Sequence, residues 1–523
     1  MSGGYHVLWA RERSTACLLH TSVRMYDTVM KIGFSRRHTL AALGAAWALP
    51  VWAGAPARSL RPMARDQAGP EAIVNDAEAL VVRARLGGEV GFAVARSDRP
   101  EFLEERGASV GLPPASVVKA LTAAYALFHL GPDFRFETTL MATGPVENGV
   151  LRGDLVLIGN GDPNLDTDDL FVLSQKLAAA GVTSVTGQFL VWAGGFRRIF
   201  SIDPEQPDHL GYNPAVSGLN LNYNRIYFEW ARNNGDYSAT LDARSPSHRP
   251  VVDVAQLEIA DRGAPVYQYR HNDGRDIWSV ARGALGTGGA RWIPVRQPEL
   301  YAGEVFASFT AAQGMVLPPP KMAETAPEGR VLIVQQGREL HKVVQGMLKY
   351  STNLTAEVLG LAATQARGFP APTLQMSASL MSSWARQTYG LNGVRLVDHS
   401  GLGDRSRMSA SDMVRALQLA KGLDLKPLLK PIRLPDRITR LPAKVFAKTG
   451  TLHFVSGLAG YLETPDGSEL TFAVFCADVE RRAGLTRAQR ERPRGARGWN
   501  TQARALQHGL IERWAQLYGS SKS

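Results

Sequence analysis

The stretch from Ser116 to about Leu130 constrains the fold more than any other. It follows Pro113-Pro114 and consists mainly of Ala, Leu and Val with few polar groups, so as a helix it is apolar on nearly every side. Such a helix must be covered all round, which demands a layered protein large enough to bury it. The chain is long enough: 523 residues, 45% of them apolar and 20% charged, correspond to about three to four domains. Its 51 Gly and 30 Pro stay below the level of low-complexity chains, and no internal repeat is evident, so a globular body is expected. Cys17 and Cys476 are the two cysteines, and there is no C-x-x-C or H-E-x-x-H. The sequence therefore signals neither a disulfide framework nor a zinc site, and no metal or cofactor is expected.

Around that helix the texture changes twice. A helix over about 71–86 ends at Gly87-Gly88, and V-G-F-A-V-A-R then reads as a strand. From 133 to 320 short strands alternate with Gly and Pro turns and occasional helices, such as one over 170–180. After Pro318-Pro319-Pro320, helical periodicity returns near 340–347, 354–364 and 376–389. Strands follow at 444–451 and 457–464. The turn Pro465-Asp466-Gly467 sends the chain back through L-T-F-A-V-F-C-A, and a final helix spans about 501–518. The expected organisation is a discontinuous domain from 58–132 and 321–523, interrupted by one or two inserted, mainly β domains at 133–320.

The N-terminal residues 1–57 read as a targeting segment. Arg36-Arg37 precedes about fifteen mostly apolar residues that end in small ones, with cleavage expected after Ala55 or Ala57. Ser35-Arg36-Arg37 resembles a twin-arginine signal, while Thr39 leaves the general secretory route open. Met25 or Met30 as the start would restore the usual geometry of such signals, so residues 1–29 are expected not to be translated. Removing 1–57, with six basic and two acidic residues, lowers the formal charge from +11 to +7. Cys476, between Phe475 and Ala477, then remains as a buried core residue rather than a catalytic one. Residues 481–497 carry seven arginines, which suit a solvated surface loop or a specific anion site.

Three short motifs bear chemistry. Ser116-Val-Val-Lys119 sets a hydroxyl and an amine three residues apart, on one helix face, where an amine made neutral by burial can take the serine proton. Alone, the same spacing is as well explained by a serine that caps a helix. Ser351-Thr352-Asn353 also precedes a helix; functionally, Ser351 would pass protons and Asn353 would orient the lysine and bind a substrate amide. Lys448-Thr449-Gly450-Thr451 ends a strand, where Lys448 and the hydroxyls of Thr449 and Thr451 would hold a carboxylate and Gly450 would admit a peptide backbone.

In this order the motifs match S-x-x-K, S-x-N and K-T-G of the penicillin-binding and serine β-lactamase superfamily. Within it the chain resembles the D-alanyl-D-alanine carboxypeptidase/endopeptidase family of the penicillin-binding protein 4 type. Besides the motifs, the resemblance rests on the 235 positions between Ser116 and Ser351, the Gly159–Leu165 segment G-N-G-D-P-N-L, Tyr212-Asn213 through Asn220-Leu221-Asn222, and Asp398-His399-Ser400-Gly401-Leu402. It covers about residues 70–518 and departs at His399, where glycine is usual, and before Lys448, where a G-T-L element is missing. The resemblance implies an α/β (α+β) multidomain fold whose transpeptidase-like catalytic domain packs an antiparallel sheet against helices. It implies an exported, periplasmic serine-type carboxypeptidase that acts on peptidoglycan stem peptides ending in D-Ala-D-Ala and is acylated by β-lactams. Catalytic roles would fall to Ser116, Lys119, Ser351 and Asn353, and substrate binding to Lys448, Thr449, Gly450 and Thr451. A β-lactamase or esterase on the same fold is disfavoured by the long interruption. A non-catalytic wall-binding protein suits the basic charge, as does peripheral membrane association, but leaves the three motifs without a purpose. Nucleic acid is not an expected partner, because the basic residues show no interleaved aromatic platform.

Overall fold

The computed structural model describes residues 76–434 and 443–519. The targeting segment, with Cys17, Met25 and Met30, lies outside the described residues.

The central element is a six-stranded antiparallel sheet made from the two ends of the chain. Its strands run in the spatial order Lys430–Pro431, Lys444–Leu452, Val455–Glu463, Glu469–Ala477, Glu89–Arg96, Phe102–Arg106. Pro465-Asp466-Gly467 makes the expected turn, with Gly467 at φ 82° and Asp466 accepting from Ser468 N–H at 3.0 Å. The middle strands are buried along almost their whole length because both faces are covered. Successive side chains of a strand point to opposite faces. Thus Phe92, Val94, Phe472, Val474 and Cys476 pack with Trp499, Leu510 and Trp514 of the long helix Ala496–Tyr518. Ala93, Ala95, Ala473 and Phe475 face the other way, into the core that contains the helix Lys119–Leu130. That helix is buried at every position from Lys119 to Leu127, as its composition requires.

Two boundaries differ from the sequence expectation. The turn over Ala115–Val118 is a 3-10 helix, and the α-helix begins only at Lys119. The last helix begins at Ala496, inside the arginine-rich segment, and a short helix Val479–Ala483 opens that segment. Pro113-Pro114 and the tight packing of the turn explain the first difference; in the second, the short helix has a local signal, Asp478 at its N-cap accepting from Arg481 N–H at 3.1 Å.

Residues 135–339 build the remaining four sheets around a separate apolar core. The largest has the order Lys321–Met322, Phe189–Trp192, Leu155–Gly159, Arg135–Ala142, Arg330–Glu339. Helices Thr167–Ala179 and Pro298–Ala312 pack in the same core. Strand pairing in this region therefore runs past 320, to residue 339. Among the described residues no helix is long and apolar enough to cross a membrane.

Candidate active site

The three motifs, separated by hundreds of residues, meet beside the sheet. In a 3-10 turn residues i and i+3 eclipse, so the Ala115–Val118 turn stacks Ser116 directly below Lys119. Lys119 Nζ lies 2.9 Å from Ser116 Oγ and donates to Asn353 Oδ1 at 2.8 Å and to the Ser400 carbonyl at 2.7 Å. Asn353 opens the helix Asn353–Ala366, and its Nδ2 donates to the Tyr212 carbonyl at 2.8 Å, which fixes the amide with Oδ1 toward the lysine. Ser351 does not cap that helix. It closes the preceding helix, Leu340–Tyr350, in the left-handed conformation (φ 60°), and its hydroxyl accepts from Lys448 Nζ at 2.9 Å. Lys448 Nζ also donates to its neighbour's carbonyl, Thr449 O, at 2.7 Å.

Gly450 makes the meeting of strand and turn possible. A Cβ there would lie 2.8 Å from the Pro114 carbonyl and 3.0 Å from Val117 N. The backbone packed against Gly450 in the structure is the chain's own Ala115–Val118 turn.

Burial controls the electrostatics. Lys119 is fully buried, which pulls its pKa down to about 7 against the opposing pull of the Glu357 and Asp398 carboxylates. Lys448, 1% exposed, is pushed well below the usual lysine range by burial and then by the charges of Lys119 and Lys430. Two ammonium groups this close disfavour each other. Below them, Glu357 accepts from the backbone N–H groups of His399 (2.9 Å) and Ser400 (3.0 Å), and Asp398 accepts from Gly401 N–H at 2.6 Å. Burial raises the pKa of both carboxyls. His399, which stands where the resemblance expects glycine, is buried beneath this loop with Nε2 2.8 Å from Ser377 Oγ, and burial lowers its pKa to about 3, which keeps the imidazole neutral.

A cleft of about 640 Å³ opens over Ser116. Ser351, Asn353 and Thr451 line it, together with Gln206 and Tyr212 from the 135–339 region and Arg482, Glu491, Arg492 and Arg497 from the arginine-rich segment. Thr449, though exposed, and the buried Lys448 are not part of the lining. Most of the arginine-rich segment is exposed, as its composition suggests, but Arg482 is 5% exposed, donates to Asp404 at 2.8 Å and to the His453 carbonyl at 3.1 Å.

The sequence reading gave no site role to Glu357, Ser400 or Tyr212, although Ser400 and Tyr212 lie in motifs that carried the resemblance. Glu357 had a signal, a lone charge on an otherwise apolar helix four residues after Asn353. Ser400 and Tyr212 act through main-chain carbonyls, which no side-chain motif encodes. Among the described residues no cluster of His, Cys, Asp or Glu is arranged to hold a metal ion.

Comparison with known proteins follows the same lines. Residues 74–492 match the model of the D-Ala-D-Ala carboxypeptidase 3 (S13) family. The D-alanyl-D-alanine carboxypeptidase DacB of Haemophilus influenzae is 25% identical over 421 residues, covering 74% of this chain and 85% of its own. The D-alanyl-D-alanine carboxypeptidase of an Actinomadura species is 26% identical over 449 residues, 76% of this chain and 80% of its own. The crystal structure of penicillin-binding protein 4 from H. influenzae superposes with a TM-score of 0.67 at 20% identity, covering 85% of this chain and 98% of its own, which shows the fold.

Proposed function

The chain belongs to the D-Ala-D-Ala carboxypeptidase 3 (S13) family, and from that membership we propose how its own residues hydrolyse the terminal bond of peptidoglycan stem peptides. Ser116 Oγ attacks the carbonyl carbon of the D-Ala-D-Ala bond while its proton passes to Lys119. The backbone N–H groups of Ser116 and Thr451 hold the oxyanion, each worth roughly 3 kcal/mol. As the oxyanion collapses, the bond to the terminal D-alanine breaks and the leaving nitrogen takes a proton through Ser351. Water then hydrolyses the Ser116 ester. Thr451, which lines the cleft, contacts the substrate, and the buried Lys448 acts on the site through Ser351 Oγ, 2.9 Å from its Nζ.

One observation carries this reading: the partners of Lys119 Nζ. Asn353 Oδ1 and Ser400 O only accept hydrogen bonds, so a neutral amine spends both N–H groups on them and turns its lone pair toward the Ser116 hydroxyl at 2.9 Å. A pKa of about 7 leaves a large fraction of the enzyme in that state near neutral pH. The same serine is the expected target of β-lactams, and a cross-bridge amide in place of D-Ala-D-Ala turns the reaction into endopeptidase cleavage. We further take the chain to be exported to the periplasm, with residues 133–320, extended by strand pairing to 339, as the inserted part.

Fluorescent penicillin should label the mature protein stoichiometrically, and Ser116→Ala should abolish labelling; undiminished labelling of that variant moves the nucleophile elsewhere. Release of D-alanine from a stem pentapeptide, measured beside cleavage of cross-linked dimers, reads the balance of the two hydrolyses.

A further inference from the structure

The seven arginines of residues 481–497 sort by what they touch. Arg482 and Arg490 are both held by Asp404, the latter at 2.7 Å. Arg487 donates to Asp208 Oδ1 at 2.7 Å and to the Gln206 carbonyl at 3.1 Å. Arg481 lies 4.1 Å over the Phe454 ring and donates to the Arg494 carbonyl at 3.1 Å. These four tie the segment to Asp404, to the Gln206–Asp208 stretch and to Phe454. Glu491, the segment's other charged lining residue, is turned to His209 at 3.3 Å and Arg291 at 3.9 Å.

Arg492, Arg494 and Arg497 are different: among the described residues none of these side chains has an ion pair or hydrogen bond, and Arg494 does not line the cleft, which leaves Arg492 and Arg497. Both are exposed, and both line the cleft together with Ser116, Ser351 and Thr451. Arg497 lies in the first turn of the helix Ala496–Tyr518, which carries no acidic residue there, so the positive end of the helix adds to the same field. Lys448, by contrast, is 1% exposed and spends donors on Ser351 and Thr449. The accessible cations at the mouth of the cleft are guanidinium groups, whose planar fork matches a carboxylate.

We propose that Arg492 and Arg497 are specificity-determining residues that bind a carboxylate of the peptide substrate. The inference rests on the reaction proposed at Ser116 and names the substrate class, an anionic peptide. Such a peptide carries two candidate carboxylates, one at its C-terminus and one on a side chain.

Three D-Ala-D-Ala peptides separate the sources: one with both carboxylates free, one with the side-chain carboxylate amidated, one with the terminal carboxylate blocked as a methylamide. The intact enzyme should prefer the free peptide over at least one blocked form by about tenfold or more in kcat/KM, carried mainly by KM. Arg492→Ala/Arg497→Ala should erase that preference, and Arg492→Lys/Arg497→Lys should retain part of it. The inference is overturned if the alanine variant keeps the parent ratios for both blocked peptides, or if it loses all three peptides equally. Hydrolysis that survives in Ser116→Ala would instead overturn the mechanism, and the preference ratios would still report on the arginines.

Discussion

In the proposed mechanism Lys119 is the base, and it combines the two requirements that a lysine base must meet. It has to be neutral, and its lone pair has to face the nucleophile. Burial supplies the first by lowering its pKa to about 7, and the acceptors Asn353 Oδ1 and Ser400 O supply the second by occupying its N–H groups. The sign of the pH dependence follows: the competent form is deprotonated, so kcat/KM and the β-lactam acylation rate should rise with pH through about 7 and then level off. Lys119→Ala should lower acylation by about 100-fold or more without preventing reversible penicillin binding. A stopped-flow acylation profile that is flat across the neutral range would remove Lys119 as the base.

At the scale of elements, the site depends on how closely its supports approach one another. The helix Asn353–Ala366 carries Asn353 and Glu357 toward the lysine, and Gly360 on the same helix receives His399. A Cβ at Gly360 would lie 2.1 Å from His399 Cγ, far inside contact distance. Gly360→Ala should therefore destabilise the protein by about 1–3 kcal/mol through overpacking, read as a lower urea midpoint. Adding His399→Gly should recover most of that loss, because the ring that collides is gone. If the double variant is no more stable than Gly360→Ala alone, the two positions are not coupled in the way their geometry indicates. The departure at residue 399 is thus matched by a space on a neighbouring helix.

Across the whole molecule, the cleft is assembled from three parts of the chain. The motifs come from its two ends, Gln206 and Tyr212 from the 135–339 region, and the arginines from the stretch that runs from the short helix Val479–Ala483 into the first turn of the final helix. Asp404 holds that stretch through Arg482 and Arg490. The Arg482 side chain is 6% exposed, and Asp404→Asn would leave its charge without a carboxylate. We expect a loss of about 3 kcal/mol, the lower end for a broken buried pair because Asp404 itself is partly solvated, together with a raised KM for peptides. Thermal unfolding and peptide kinetics on the same preparation check both effects. An unchanged melting temperature would mean that Arg482 finds full compensation elsewhere.

Sequence by itself determined whatever rests on local pattern: the fully apolar helix, the turn at Pro465-Asp466-Gly467, the strand-end K-T-G, and the three motifs whose order pointed to the family. It also singled out Ser116, Lys119, Ser351, Asn353 and Lys448, and the structure hydrogen-bonds Lys119 to Ser116 and Asn353, and Lys448 to Ser351. Only the tertiary structure decided that Ser116 sits in a 3-10 turn, that Gly450 accommodates this turn, that main-chain carbonyls of Ser400 and Tyr212 complete the polar shell, and that arginines line the cleft. The reason is physical. Helix and strand periodicity follow from neighbours along the chain, whereas a carbonyl acceptor, a buried pKa or a paired arginine depends on what distant segments place around it, and every residue type carries the same backbone.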